Sequence, residues 1–231
     1  MTRIRELPRL VVMASGRGSN LEAILDAIDR GELRARVVAV ISDRPDAQAL
    51  ERAARRQIEA LALDYRAFPD RDAYHEALLE HLVRIAPDLI VLAGYMRLLP
   101  GRIVARFPQR IVNIHPSLLP AFPGLNPHRQ ALDYGVKVSG CTVHFVDEGM
   151  DTGPIIMQAA VPVLEDDTEK SLAERILRRE HELYPRAIAA VLDGRVRVEG
   201  RRVRIFAPGA AGDHEQDEQK EGDSRCKSGE P

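Results

Sequence analysis

Five short apolar runs, each followed by an amphipathic stretch, dominate the first half of the chain: "LVVMA" at 10–14, "RVVAVI" at 36–41, a weaker run at 59–63, "DLIVLA" at 88–93 and "RIVNIH" at 110–115. A strand with one wet face alternates apolar and polar residues. Runs this uniformly apolar belong to strands covered on both faces. Between them Leu, Ile and Ala recur at helical spacing over 19–30, 46–57, 71–85 and 101–107. Repeated strand–helix units of this kind predict an α/β fold, a mainly parallel twisted sheet with helices on both faces, Rossmann-like in plan. The texture changes after 137. There "VKVSGCTVHFV" and "PIIMQAAVPV" read as two longer strands joined through "DEGMDTG", an antiparallel C-terminal extension of the sheet. A long helix over about 168–192 and a closing hairpin, "RVRVEGRRVRI", follow.

With 231 residues, 45% of them hydrophobic, the chain can bury one good core. Residues 1–207 are expected to form that single domain. Residues 208–231 hold seven acids and three bases with almost no large apolar groups, so a disordered tail is predicted there. Thirty-three basic against thirty-five acidic residues offer no broad attraction for nucleic acid or an anionic membrane, which turns the expectation toward small-molecule partners. No apolar run approaches the ~18 residues of a membrane span, and "MTRIRELPRL" lacks an apolar signal core, so a cytoplasmic location is expected. Cys141 and Cys226 lie far apart and match no CxxC or zinc spacing. No metal is expected, and monomer and homodimer both fit.

After the first strand, "MASGRGSNLEAI" places Gly16 and Gly18 at a strand-to-helix turn, then Ser19 and Asn20. Backbone amides at such a turn, together with the positive end of the helix dipole, suit a phosphate. A tight turn also needs glycine for steric reasons alone, and Ser19 or Asn20 could simply cap the helix. A nicotinamide-dinucleotide site is a further reading, since Asp43 ends the second strand where a ribose-binding acid sits; against it, Leu21 occupies the third glycine position of that fingerprint.

Asn113 and His115 lie two apart on a strand and share a face, at the carboxyl end where open α/β sheets bind ligands. Histidine exchanges protons near neutrality, and an asparagine amide can donate to an oxygen gaining negative charge. Main-chain satisfaction is the plain alternative for both. Pro116, Pro120 and Pro123 restrict the loop that follows, which suits preorganisation. In "VDEGMDTGPII", Asp147 and Glu148 fit a solvated turn, while Asp151 stands before Thr152, Gly153 and Pro154, which can fix it at the sheet's mouth. A calcium loop would need glycine at the sixth position, held by Thr152. His75, His81, His128, His181 and His214 have no spacing that compels a role, and "RILRRE" at 175–180 reads as a solvated helix face.

Taken together, "GRGSN", "LAGYMRLL", "NIHPSLLPAFPG" and "VHFVDEGMDTGPII", in this order, resemble the phosphoribosylglycinamide formyltransferases of the folate-dependent formyltransferase superfamily, over about residues 10–200. The resemblance implies a formyltransferase-like fold and transfer of a formyl group from 10-formyltetrahydrofolate, the co-substrate, to the amine of glycinamide ribonucleotide in purine biosynthesis. It implies Asn113, His115 and Asp151 as the catalytic trio and Gly18, Ser19, Asn20 and Glu180 as contacts to the ribonucleotide. Folate would lie along Met96, Arg97, Leu98 and Leu99, with Arg71 and Asn113, and His144 would support the site. Departures from the family pattern are Asn126-Pro127, where some relatives have a His-Thr type pair, and Leu177, where some have glutamine. Formyltetrahydrofolate deformylase, which hands the group to water, is the alternative. Its relatives usually carry an extra N-terminal domain, for which the first ten residues are expected to leave no room. A methionyl-tRNA formyltransferase would need a further tRNA-gripping domain.

Overall fold

The computed structural model describes residues 6–208, so all of the expected tail but its first residue lies outside the described residues. Strands β1 (Arg9–Met13), β2 (Arg36–Ser42), β3 (Glu59–Ala62), β4 (Leu89–Leu92), β5 (Ile111–His115), β6 (Val138–Phe145) and β7 (Ile155–Pro162) form one sheet, ordered β3-β2-β1-β4-β5-β6-β7. Pairing is parallel from β3 to β5 and antiparallel from β5 to β7, as the change of texture after 137 predicts. Helices α1 (Ser19–Asp29), α2 (Gln48–Arg55), α3 (Arg71–Ile85), α4 (Gly101–Arg106), α5 (Pro127–Tyr134) and α6 (Glu169–Leu192) cover it. The closing hairpin, β8 (Val196–Glu199) and β9 (Arg202–Ile205), forms a separate two-stranded sheet.

Two hydrophobic cores explain the uniform apolar runs. Leu10, Val12, Val91 and Val112 pack with Leu21 and Ile24 of α1 and with Ile176 and Ile188 of α6. Their neighbours Val11, Met13, Ile90 and Ile111 face the other way, against Tyr74, Leu78 and Leu82 of α3 and Ile103 of α4. Each strand therefore serves both layers, and no polar alternation survives. The chain runs outward from β1 to β2 and β3, then crosses back to β4 on the other side of β1. The loops after β1, β4 and β5 consequently gather at one edge, beside the point where strand order reverses.

Helix α6 ties the layers together. Thr168 and Ser171 close a reciprocal capping box at its start. Midway, the fully buried Tyr184 hydroxyl lies 2.9 Å from the Leu92 carbonyl and 3.1 Å from that of Val112, reaching both strands that carry the site.

Helix α5 is absent from the sequence reading. It is short, only Pro127 and Ala131 are buried, and Asn126 caps it from a left-handed backbone (φ 56) without a side-chain cap. With one apolar anchor it carries no periodicity to detect; its signals are Pro127 in the first turn and Gly135 beyond the last. Helix α2 is also shorter than the predicted 46–57.

Candidate active site

The β5 pleat sends Asn113 and His115 to the α3/α4 side of the sheet, while Val112 and Ile114 enter the α6 core. Antiparallel pairing sets His144 of β6 opposite Asn113 and Thr142 opposite His115. The Asn113 Nδ2 and His144 Nε2 atoms are 3.2 Å apart, and His144 Nδ1 is 2.8 Å from the Phe145 carbonyl. A carbonyl only accepts, so Nδ1 carries the hydrogen, and Nε2 of the neutral ring accepts from the Asn113 amide. Hydrogen placement thus follows from the main chain, and it fixes which way the amide points.

Asp151 reaches the same place from the loop between β6 and β7. Its Oδ2 lies 3.3 Å from His115 Nδ1 and its Oδ1 lies 3.5 Å from Asn113 Nδ2. The Gly124 N–H donates to Oδ2 at 2.8 Å. His115 Nε2 is 2.9 Å from the Phe122 carbonyl, so both nitrogens of this buried ring face oxygen acceptors. Burial raises the Asp151 carboxyl, but the adjacent His144 ring, the Gly124 N–H bond and the charge of His115 outweigh it and hold the group below its ordinary range. The two long contacts, 3.3 and 3.5 Å, are loose for charge-assisted bonds. Two donors therefore converge on one carboxylate without being saturated by it, the looseness expected before substrate enters.

At the first turn, Gly18 caps α1 with φ 73, and a Cβ there would lie 2.9 Å from the Ala49 backbone. Glycine is required at this position by both conformation and space. Ser19 and Asn20 open the helix. The Asn20 side chain is drawn inward, donating at 2.8 Å to Glu180, and its own Oδ1 is buried without a partner. Burial pushes the Glu180 carboxyl up, against the opposing Asn20 hydrogen bond. A cleft of about 720 Å³ opens from Ser19 between α1 and α6, lined also by Arg52, His181 and Arg186. It lies on the α6 side, across the sheet from the Asn113–His115–Asp151 cluster.

The Met96–Leu99 segment follows β4 at the same edge. Its Met96 N–H donates to Ser15 Oγ at 2.9 Å, joining it to the glycine turn. Met96 and Leu98 are exposed and Leu99 is buried. Arg97 turns toward the end of β2: its Nε donates to Asp43 at 2.7 Å and its guanidinium stacks on Tyr65. The Asp43 carboxylate, the ribose-binding candidate of the dinucleotide reading, is thereby tied up as an anchor. Arg71 is exposed at the start of α3, near the buried His75, which lies against the Leu98 main chain. Leu177 is half-buried on α6, one turn before Glu180. Among the described residues, no group of three or more His, Cys, Asp or Glu could hold a metal, and no helix is long and apolar enough to cross a membrane.

What the sequence reading lacks at this site is main chain: the Phe122 carbonyl and the Gly124 N–H. No residue type announces either; the proline-framed loop is the only trace.

Residues 8–188 match the family described as formyl transferase. The chain is 44% identical over 189 residues to phosphoribosylglycinamide formyltransferase of Escherichia coli, covering 82% of this chain and 89% of that one. It is 50% identical over 188 residues to the trifunctional purine biosynthetic protein adenosine-3 of Drosophila melanogaster, covering 80% of this chain but only 14% of that protein's length. In three dimensions it resembles glycinamide ribonucleotide transformylase 1 of Symbiobacterium toebii, with a TM-score of 0.85 and 57% identity over 87% of this chain and 95% of that one. A formyltetrahydrofolate deformylase of Pseudomonas syringae pv. tomato shares the fold at 30% identity, with a TM-score of 0.81 over 88% of this chain and 67% of that one.

Proposed function

This chain belongs to the formyl transferase family, and on that premise we propose that it transfers the formyl group of 10-formyltetrahydrofolate to the amine of glycinamide ribonucleotide. The observation that carries the reading is the convergence of Asn113 and His115 on the Asp151 carboxylate at the carboxyl edge of the parallel strands.

The substrate amine attacks the formyl carbon, and the carbonyl oxygen takes the negative charge. Asn113 Nδ2 and the His115 Nδ1–H, each loosely bound to Asp151, turn to that oxygen and stabilise it, at about 3 kcal/mol for each donor. Asp151 accepts the proton that the amine sheds and returns it to the folate nitrogen as the carbon–nitrogen bond breaks. The balance closes with a formylated amine and tetrahydrofolate, without a change of oxidation state. His144 holds the Asn113 amide in its donating orientation.

Gly18, Ser19 and Asn20 receive the ribonucleotide phosphate on main-chain N–H groups at the positive end of α1, with Glu180 contacting the same substrate. Folate lies along Met96–Leu99, whose fixed attachment to Ser15 and Asp43 keeps the two substrates in register, with Arg71 at the rim. The partners are small molecules and the location is the cytoplasm.

Incubation of the purified protein with 10-formyltetrahydrofolate and glycinamide ribonucleotide is expected to yield the formylated ribonucleotide and tetrahydrofolate in equal amounts. Formate released at the same rate with and without the ribonucleotide would instead establish hydrolysis and overturn the assignment.

A further inference from the structure

Register places a row of three polar side chains across the last three strands of the main sheet: His115 on β5, Thr142 opposite it on β6, and Gln158 opposite Thr142 on β7. The latter two enter none of the chemistry above, yet they form a closed hydrogen-bond network with the loop that follows β5. The fully buried Thr142 hydroxyl donates to the Ser117 carbonyl at 2.7 Å. It accepts from the Leu119 N–H at 3.0 Å and from Gln158 Nε2 at 2.9 Å. The second hydrogen of that amide goes to the Leu119 carbonyl, also at 2.9 Å. One donor and two acceptor sites are all a hydroxyl offers, and two hydrogens are all an amide nitrogen offers; every one is used.

Close approach of the loop is also built in. At Gly140, next to this row, a Cβ would fall 2.0 Å from the Ala159 carbonyl and 2.9 Å from the Leu118 side chain. Three residues beyond the clamped Leu119, the same loop presents the Phe122 carbonyl to His115 Nε2, and then the Gly124 N–H to Asp151.

From this we infer that Thr142 and Gln158 are positioning residues: they clamp the Ser117–Leu119 main chain and so set the Phe122 carbonyl that orients the His115 ring. The inference rests on the catalytic reading of His115, but the ring's orientation can be measured without turnover. Misplacement of a reacting group by about 1 Å costs up to about a hundredfold in rate.

The test compares Gln158→Leu, Thr142→Val and Thr142→Ser with wild type, using steady-state kinetics and nitrogen-15 NMR of the histidine rings in the substrate-free protein. Gln158→Leu and Thr142→Val are expected to lower kcat about 10- to 100-fold, with KM for both substrates within about twofold, and to shift or broaden the His115 Nε2–H signal. Thr142→Ser keeps the hydroxyl and restores both readouts. Gln158 is exposed on the edge strand, so its variant remains informative should Thr142→Val fail to fold. An unchanged His115 signal in folded Gln158→Leu overturns the clamp, as does kcat within twofold of wild type. A wild-type protein without formyl transfer defeats the functional reading instead, and the ring spectra then decide the clamp alone.

Discussion

Asp151 holds its carboxylate from a left-handed backbone, φ 55, a conformation that costs an ordinary side chain about 1 kcal/mol and that Asp and Asn tolerate best. Asp151→Asn therefore keeps both the turn and an acceptor for the Gly124 N–H while removing the charge. It and His115→Ala are each expected to reduce kcat at least about 100-fold with near-UV circular dichroism unchanged; wild-type rates in either variant refute the roles assigned. Glu180 makes a second prediction through its raised carboxyl. Below the unfolded-state value, about 4.3, the group is protonated whether folded or not and costs nothing. As pH rises past it, the unfolded chain gains by ionising while the folded one resists, so stability falls. Glu180→Gln removes that cost and can still accept from Asn20. Its melting temperature should exceed wild type at pH 7, with the difference vanishing near pH 4, as differential scanning calorimetry across that range will tell.

At the level of the element, the loop from β6 to β7 is fitted to its place by close backbone contact. A Cβ on Gly153 would sit 1.8 Å from the Phe145 carbonyl, and Asp147 fastens the turn through Thr152 Oγ1 at 2.6 Å and the Gly149 N–H. Gly153→Ala must push the loop outward and carry Asp151 with it. The expected result is a loss of kcat comparable with Asp151→Asn, together with a lower melting temperature; an active, equally stable variant would mean that the loop adapts without moving the carboxylate. Elements with many buried apolar groups were legible from spacing alone, α3 at its observed bounds among them. Helix α5 was not, because a helix held by Pro127 and Ala131 gets its stability from the fold around it and not from its own pattern.

Across the whole molecule, a single sheet backs both cores. Leu78 on one side and Ile188 on the other are fully buried, and replacing either with alanine should cost about 2–5 kcal/mol. Since every central strand contributes side chains to both layers, the two variants should shift one common urea transition, followed by circular dichroism and by hydrogen exchange on each face. Separate transitions would show that the layers unfold independently.

Local order along the chain determined the α/β class, most strand and helix positions and the glycine turn, and it picked out Asn113, His115 and Asp151 as candidates, because periodicity and turn chemistry act between residues a few positions apart. Their meeting was decided only in three dimensions. Which nitrogen of His115 faces Asp151, the inward turn of Asn20 to Glu180, the diversion of Arg97 to Asp43 and the row from His115 to Gln158 all depend on strand register and on how two layers of helices settle against one sheet. A slip of one residue along β5, β6 or β7 would reverse the faces of His115, Thr142 or Gln158 while leaving the local pattern intact.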